Sequence, residues 1–174
     1  MAINQESPWI GKAGDLTPAD LLSIARLVFD GRAVRGTVEQ ISARLENAHQ
    51  LALFRDEGSG RIVAVAALKR PDPGYRRDTF DHAVVPIAGH EEAPELGYVV
   101  VAEDKRGRHL SSKLMDLILN DVDGPVFSTT DDETMKKNLR RAGFKQVGQA
   151  WKGNRGVLSL WVVAASERKP AQTL

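Results

Sequence analysis

The stretch ELGYVVVAEDKRGRHLSSKLMDLIL, residues 95–119, decides how the rest of the chain is interpreted. Residues 95–101 are rich in β-branched and aromatic side chains, which predicts a strand. The apolar positions that come later in the stretch have helical spacing: Leu110, Leu114, Leu117 and Ile118. The period of the pattern therefore changes from two to 3.6 residues, and a short basic loop is expected between a strand and a helix.

The basic loop stands where a helix is expected to begin. Helices usually begin with acidic residues, because the first turn exposes unpaired N–H groups and the positive end of the dipole. This helix instead begins near Arg106, Gly107, Arg108 and His109. Unpaired N–H groups, a glycine that lets the backbone approach closely and flanking arginines suit a phosphate group. A solvated basic turn would give the same local pattern, so the pattern alone leaves both interpretations open.

The composition is that of an ordinary globular protein. Hydrophobic residues make up 42% of the 174 residues and charged residues 27%, so we expect one domain over residues 1–165. Residues 166–174 are expected to form a flexible C-terminal tail. Lysine and arginine number 24 against 23 acidic residues, which predicts no general attraction to nucleic acid or to an anionic membrane.

Several classes of site are excluded or disfavoured by residue usage. The chain contains no cysteine, which excludes disulfides, thiolate metal sites and a cysteine nucleophile. The four histidines have no metal-ligand spacing, so no metal is expected. No basic segment followed by an apolar run begins the sequence, and the longest apolar stretches are too short to cross a bilayer. We therefore expect a cytoplasmic location.

The remaining pattern predicts a mixed α/β domain built on one sheet. Helices are expected at 18–30, from Thr37 to about 48, and after the acidic cap at 130–133 as far as Gly143. Further strands are expected at 9–13, 51–55, 62–69, 125–129, 145–151 and 157–164. Residues 70–94 contain four prolines and are interpreted as a long inserted loop with a short strand at 83–87.

This order of elements, with two local motifs, resembles the GNAT acetyltransferase superfamily over most of the chain. The segment RGRHLS at Arg106–Ser111 looks like the acyl-CoA pyrophosphate loop of that family, Arg/Gln-x-x-Gly-x-Gly/Ala. The segment DDETMKKNLRRAGFKQVG, residues 131–148, resembles the late helix and its Gly-Phe exit. The resemblance implies the acyl-CoA N-acyltransferase fold, a single mixed, mostly antiparallel and splayed sheet flanked by helices.

The resemblance also implies acetyl-CoA as cosubstrate and a set of residues that contact it. The pantetheine amides are expected to pair with the backbone of Tyr98, Val99, Val100 and Val101. The pyrophosphate is expected at the basic loop and the first helical turn: Arg106, Gly107, Arg108, His109, Leu110, Ser111 and Ser112. The phosphate site inferred from helix polarity alone falls on the same loop.

Three positions depart from the family pattern. His109 stands where the family prefers glycine, and Ser111 stands where it prefers glycine or alanine. Leu139 falls where many members carry the tyrosine that protonates the leaving thiolate. Leucine cannot donate a proton, so another group does so, the thiolate leaves unaided, or the chain is not an acetyltransferase.

Candidate catalytic residues follow from the needs of acyl transfer. An amine with a pKa near ~10 is mostly charged at neutral pH, so a carboxylate base is useful. Glu95 matches the position where several family members place that base; a structural role at a strand end is the alternative. Ser128 is our candidate acid, with Thr129, Thr130 and Tyr98 as alternatives. Strand alternation would place Tyr98 and Glu95 on opposite faces.

The acceptor is expected to meet arginines and one tyrosine on two loops. Two of these residues lie between the first helices and two in the inserted segment: Arg32, Arg35, Tyr75 and Arg76. Several arginines suit a carboxylate or phosphate on the acceptor, although scattered loop arginines are also common on ordinary protein surfaces.

The sequence thus favours an N-acetyltransferase that moves acetyl from acetyl-CoA to a primary amine of a small molecule or protein by direct attack. One alternative is a catalytically silent GNAT-like module that binds acyl-CoA or a partner. Another is an enzyme acting on a nucleic-acid amine, such as aminoacyl-tRNA or a DNA base. The nucleic-acid alternative rests on four basic residues: Lys136, Lys137, Arg140 and Arg141. The near-neutral net charge of the chain disfavours it. No membrane partner is expected, and the assembly is a monomer or a homodimer.

Overall fold

A computed structural model describes residues 5–167 as a mixed α/β fold. Within these residues the strands are β1 (Glu6–Gly11), β2 (Gln50–Asp56), β3 (Ile62–Lys69), β4 (Glu95–Val101), β5 (Val126–Thr130), β6 (Lys145–Lys152) and β7 (Val157–Val163). The α helices are α1 (Pro18–Asp30), α2 (Val38–Glu46), α3 (Pro73–Ala83), α4 (Leu110–Leu119) and α5 (Glu133–Arg141). The fold class expected from the sequence is confirmed.

The strands form one sheet in the order β1-β2-β3-β4-β5-β7-β6. The β1–β2, β2–β3, β5–β7 and β7–β6 pairs are antiparallel, whereas β4 and β5 are parallel, with Glu95 opposite Phe127. The sheet is therefore mixed and mostly antiparallel, as expected. The splay expected between the central strands stays a prediction.

Residues 70–94 are not the open loop expected from their prolines. They contain α3, and Pro73 occupies its first turn, where a missing N–H costs nothing. Asp72 caps this helix by accepting from the N–H of Gly74 at 2.8 Å. The strand expected at 83–87 is also wrong, because Val84 ends the helix in the left-handed conformation, with φ of 57°. The helix was hidden because few of its residues are apolar.

The chain divides into two compact units, and β4 contributes to both of them. The first unit comprises described residues 5–69 and 97–119, with β1–β3, α1, α2, α4 and most of β4. The second comprises residues 70–96 and 120–167 of the described chain, with the remaining elements. The expectation of a single domain over 1–165 stays a prediction. Most of the tail expected at 166–174 lies outside the described residues.

The first unit is built on an almost completely buried strand, β3. Helices α1 and α4 pack on β3, α4 also packs on β2, and α2 packs against α1. Thr17 caps α1, and Thr37 with Gln40 forms the capping box expected at α2. Ile24, Val28 and most other large aliphatic residues of this core are fully buried, and each contributes roughly 1.5–3 kcal/mol of transfer free energy.

The second unit has its core where α3 packs against β6 and β7. Phe80 of α3 is fully buried and contacts Phe127 of β5 edge to face, with ring centroids 5.6 Å apart. Gly148 of β6 has a φ of 66°, and a Cβ built on it would lie 2.1 Å from the carbonyl oxygen of Ala83. The backbone of β6 at Gly148 therefore packs directly against the backbone at the end of α3.

None of the helices in residues 5–167 is long and apolar enough to cross a membrane.

Candidate functional site

The basic loop of the first unit adopts an unusual backbone conformation before α4. Gly107 has a φ of 80°, with nothing within 4 Å of a Cβ built on it, and His109 has a φ of 58°. Left-handed residues that alternate with ordinary ones turn successive N–H groups toward one side of the chain, which makes an anion-binding concavity. Only glycine adopts this conformation without cost. This cost accounts for the glycine that the GNAT family pattern prefers at the position of His109.

Helix α4 begins immediately after this turn. Its hydrogen-bond ladder begins with the N–H of Lys113, which donates to the carbonyl of His109 at 3.1 Å. The hydroxyl of Ser112 donates to the same carbonyl at 2.9 Å. The N–H groups of the first turn precede this ladder, so the helix itself does not satisfy them. A helix start of this kind, reached through an open glycine turn, suits a phosphate group.

Most of the positive charge near the loop is already paired within the first unit. Lys105 is buried and contacts Asp56 and, at 3.4 Å, Glu6. Arg108 donates to the same oxygen of Glu6 at 2.7 Å. Arg61 contacts Asp104, so the segment that precedes α4 is tied to β1 and to the β2–β3 turn.

Arg106 differs from its neighbours, because its side chain forms no hydrogen bond or ion pair within the described residues, 5–167. It is also exposed. An anion that binds at this loop can therefore pair with Arg106 without breaking an existing ion pair.

The paired charges predict an acid-sensitive contribution to stability. The hydrogen bond from Lys105, helped by the N–H and hydroxyl of Ser59, holds the pKa of Asp56 well below its ordinary value of 3.8. A lowered folded-state pKa gives stability that is complete above the ordinary value and is lost as the pH falls below it. We expect the difference in unfolding free energy between wild type and Asp56→Asn to be constant above about pH 5 and to shrink toward about pH 2.5.

Urea unfolding over that pH range measures this difference. Glu57→Gln, which neutralises an exposed carboxylate in the same turn, is the control. A difference for Asp56→Asn that does not change with pH would contradict the assigned ion pair.

The part of β4 expected to pair with pantetheine contains a left-handed residue, Tyr98, with φ of 52°. Its ring lies in the first unit's core beneath the Lys69 ammonium, which is 5.0 Å from the ring centroid. A left-handed residue departs from the extended backbone of a regular strand. The placement of Tyr98 and Glu95 on opposite faces of the strand stays a prediction.

The carboxylate of Glu95 is the centre of a hydroxyl cluster in the second unit. Glu95 is only 2% exposed. Its Oε1 accepts a hydrogen bond from the phenol of Tyr75 at 3.2 Å and another from the hydroxyl of Thr129 at 3.1 Å. Parallel pairing of β4 with β5 brings Thr129 to Glu95, and α3 brings Tyr75. The two hydroxyls fix the position of this carboxylate, which is a group able to accept a proton.

The other β5 hydroxyls are used by the fold. Ser128, our candidate acid, is 1% exposed and donates to the carbonyl of Leu96 at 2.9 Å. Thr130 accepts from the N–H of Asp132 at 3.0 Å, just before α5. The structure therefore brings Thr129 rather than Ser128 to Glu95.

The expected substrate residues fall into two groups, one in each unit. Arg32 and Arg35 are exposed on the turn after α1. Tyr75 is 46% exposed. Arg76 instead is 7% exposed, and its guanidinium donates to the carbonyl oxygens of residues 71, 91 and 93. That clamp fixes the path of the chain around α3, so we do not retain Arg76 as a substrate contact.

Sequence reasoning missed two features of the candidate site, namely the contacts of Tyr75 and of Thr129 with Glu95. A signal for the first was present. Asp72 followed by Pro73 has the same form as Thr17 followed by Pro18, which correctly predicted α1. The contact itself joins residues 20 positions apart and needs the tertiary structure.

Two other features bear on the alternatives. Lys136 of α5 pairs with Glu133 at 2.6 Å, and the guanidinium of Arg140 lies 5.0 Å from the ring centroid of Trp161. Part of the basic face proposed for nucleic acid is thus used internally. Among residues 5–167 no group of three or more histidine or acidic residues could hold a metal ion.

Solved structures share this arrangement of strands and helices. A GNAT-family acetyltransferase from Streptococcus agalactiae matches with a TM-score of 0.69 over 90% of this chain and 95% of its own, at 14% identity. An acyl-CoA N-acyltransferase from Pseudomonas aeruginosa matches with a TM-score of 0.67 over 92% of this chain and 100% of its own, at 17% identity. The chain has the GNAT fold.

One of the matching structures has an acceptor in its name. The ribosomal-protein-S18-alanine N-acetyltransferase of Escherichia coli matches with a TM-score of 0.63 over 97% of this chain and 99% of its own, at 10% identity. No family model matches the sequence, and no curated protein sequence is significantly similar to it. At identities this low, the structural similarity establishes the GNAT fold alone, and the acceptor has to be inferred from the site.

Proposed function

We propose that the protein is a cytoplasmic N-acetyltransferase that moves acetyl from acetyl-CoA to a primary amine of a small molecule or a protein by direct attack. The observation that carries the proposal is the turn before α4, where Gly107 and His109 are both left-handed and lead directly into a helix start. Within a GNAT fold, this is a backbone suited to a pyrophosphate.

The departures from the family motif are compatible with this proposal. Histidine at position 109 keeps the left-handed conformation that glycine would adopt, and its side chain is exposed. The anion-binding groups here are backbone N–H groups, which do not depend on the side chain. Space next to Gly107 is open, so a ligand can approach the backbone closely.

Acetyl-CoA would supply an activated thioester carbonyl. The residues of this chain are proposed to fill four roles. Arg106 and the first turn of α4 hold the phosphates, and the β4 backbone at Tyr98–Val101 pairs with the pantetheine. Glu95 accepts the proton that the amine loses as the amide bond forms. Arg32, Arg35 and Tyr75 remain proposed contacts to the acceptor side.

Binding of the cosubstrate is tested by calorimetric titration with acetyl-CoA. We expect Arg106→Glu to weaken binding by more than about tenfold, about 1.4 kcal/mol, because the unpaired cation of the loop becomes an anion. Arg26→Glu makes the same change of charge on the exposed face of α1 and should leave the affinity nearly unaltered. No binding of acetyl-CoA at millimolar concentration would refute the proposal.

Turnover separates the enzyme from a silent acyl-CoA-binding module. Free thiol is measured after acetyl-CoA is mixed with butylamine, spermidine, amino-acid amides and a lysine-containing peptide. Thiol release that depends on one of these amines supports acetyl transfer. Acetyl-CoA binding without release from any of them would favour the binding module.

A further inference from the structure

The two hydroxyls that donate to Glu95 have nearly the same geometry but different chemistry. The phenol of Tyr75 and the hydroxyl of Thr129 reach the same oxygen at 3.2 and 3.1 Å. A phenol, with an ordinary pKa of about 10, gives up its proton far more readily than an aliphatic hydroxyl. Of the two donors, Tyr75 is therefore the one able to transfer a proton.

Tyr75 is also accessible to a ligand and firmly placed. Its side chain is 46% exposed, although the carboxylate that it contacts is buried. The clamp formed by the neighbouring Arg76 and the cap formed by Asp72 fix the first turn of α3. In addition, the hydroxyl of Thr79 donates to the carbonyl of Tyr75 at 2.8 Å. The phenol is thus held between a buried base and solvent.

Position 139, where many GNAT members carry a tyrosine, offers no proton in this chain. Leu139 of α5 is fully buried and carries no polar group. We propose that Tyr75, from the helix inserted between β3 and β4, is the catalytic proton donor, and that Glu95 restores its proton. This inference rests on the proposed acetyl transfer and assigns its proton path.

The proton path closes on itself. As the carbon–nitrogen bond of the amide forms, Glu95 takes one proton from the attacking amine. As the carbon–sulfur bond breaks with its electron pair leaving on sulfur, Tyr75 gives its phenolic proton to the thiolate. Glu95 then passes its newly gained proton to the phenolate along the existing hydrogen bond. One proton has moved from nitrogen to sulfur, and both side chains have returned to their starting state.

Tyr75 and Thr129 donate to the same oxygen of Glu95, so removing either hydroxyl gives a matched pair of variants. If Tyr75 only oriented the carboxylate, Tyr75→Phe and Thr129→Val would have similar effects. If Tyr75 donates the proton, Tyr75→Phe should lower kcat by about 10²-fold and leave the KM for acetyl-CoA within about threefold. Thr129→Val should lower kcat by less than about tenfold. Asp81→Asn, on the exposed side of the same helix, is the control.

A second measurement does not need an acceptor. The chain has two tyrosines, so labelling of the tyrosine ζ-carbons gives one resonance for Tyr75 and one for Tyr98. Glu95→Gln should shift the Tyr75 resonance, which tests the hydrogen bond. CoA and desulfo-CoA should bind with similar affinity. CoA should shift the Tyr75 resonance more than desulfo-CoA does, because only CoA carries the sulfur.

The outcomes separate the two proposals. Equal kcat losses for Tyr75→Phe and Thr129→Val, or identical Tyr75 shifts with CoA and desulfo-CoA, would overturn the role of Tyr75 and leave acetyl transfer standing. Failure of wild type to bind CoA would overturn both. A large loss specific to Tyr75→Phe, together with a sulfur-dependent shift, is the expected result.

Discussion

Glu95→Gln is expected to lower kcat for acetyl transfer by about 10³-fold, the loss typical of removing a positioned general base. Glutamine keeps the oxygen that accepts from Tyr75 and Thr129, so the hydroxyl cluster and the fold should survive. It cannot accept the amine's proton at neutral pH. Affinity for acetyl-CoA should stay within about threefold, because the phosphate contacts proposed for the α4 turn are unchanged.

The measurement is single-turnover transfer to the best acceptor of the amine panel, followed by thiol release. Glu92→Gln is the matched control, since it makes the same isosteric change in an exposed residue of the segment before β4. A Glu95→Gln enzyme with the wild-type kcat would show that Glu95 only orders the start of the strand.

Gly148→Ala is expected to destabilise the second unit by more than about 3 kcal/mol. Two costs combine at this position. The φ of 66° is unfavourable for alanine by roughly 1–2 kcal/mol. The new methyl group would also lie 2.1 Å from the Ala83 carbonyl oxygen and 2.4 Å from a methyl carbon of Val85, so the end of α3 must move.

Gly89→Ala separates these two costs within the same unit. Gly89 has a φ of 86° but nothing within 4 Å of a Cβ built on it, so it should lose only the conformational part. The difference between the two variants in urea unfolding then measures the clash between β6 and α3. Equal destabilisation would mean that the backbone of α3 yields at little cost.

The stretch from 95 to 119 was predicted well because its signals are local. A β-branched run, a glycine in a basic turn and helical spacing of leucines each depend on neighbours in the sequence. The observed β4 begins at Glu95 as expected, and α4 begins at Leu110, directly after the basic residues near which its start was expected. The caps at Thr17 and Thr37 were found for the same reason. Most of the helices and strands could be predicted from local features of this kind.

The site in the second unit could not be predicted in the same way. Helix α3 derives its stability from a few buried positions and from the Arg76 clamp, so its sequence lacks a clear apolar stripe. The pairing of Tyr75 and Thr129 with Glu95 joins three separate elements. Ser128 and Thr129 are adjacent, and which of them faces Glu95 depends on the β4–β5 register, which the sequence does not reveal.

The ion pairs that tie the segment before α4 to β1 and to the β2–β3 turn have an entropic consequence for binding. Lys105, Asp104 and Arg108 are each held by a partner from another element. A loop fixed during folding loses little further conformational freedom when a ligand arrives, so more of the interaction energy appears as affinity. The turn is in this sense preorganised, and loosening these anchors should weaken phosphate binding even though none of them needs to touch the phosphate.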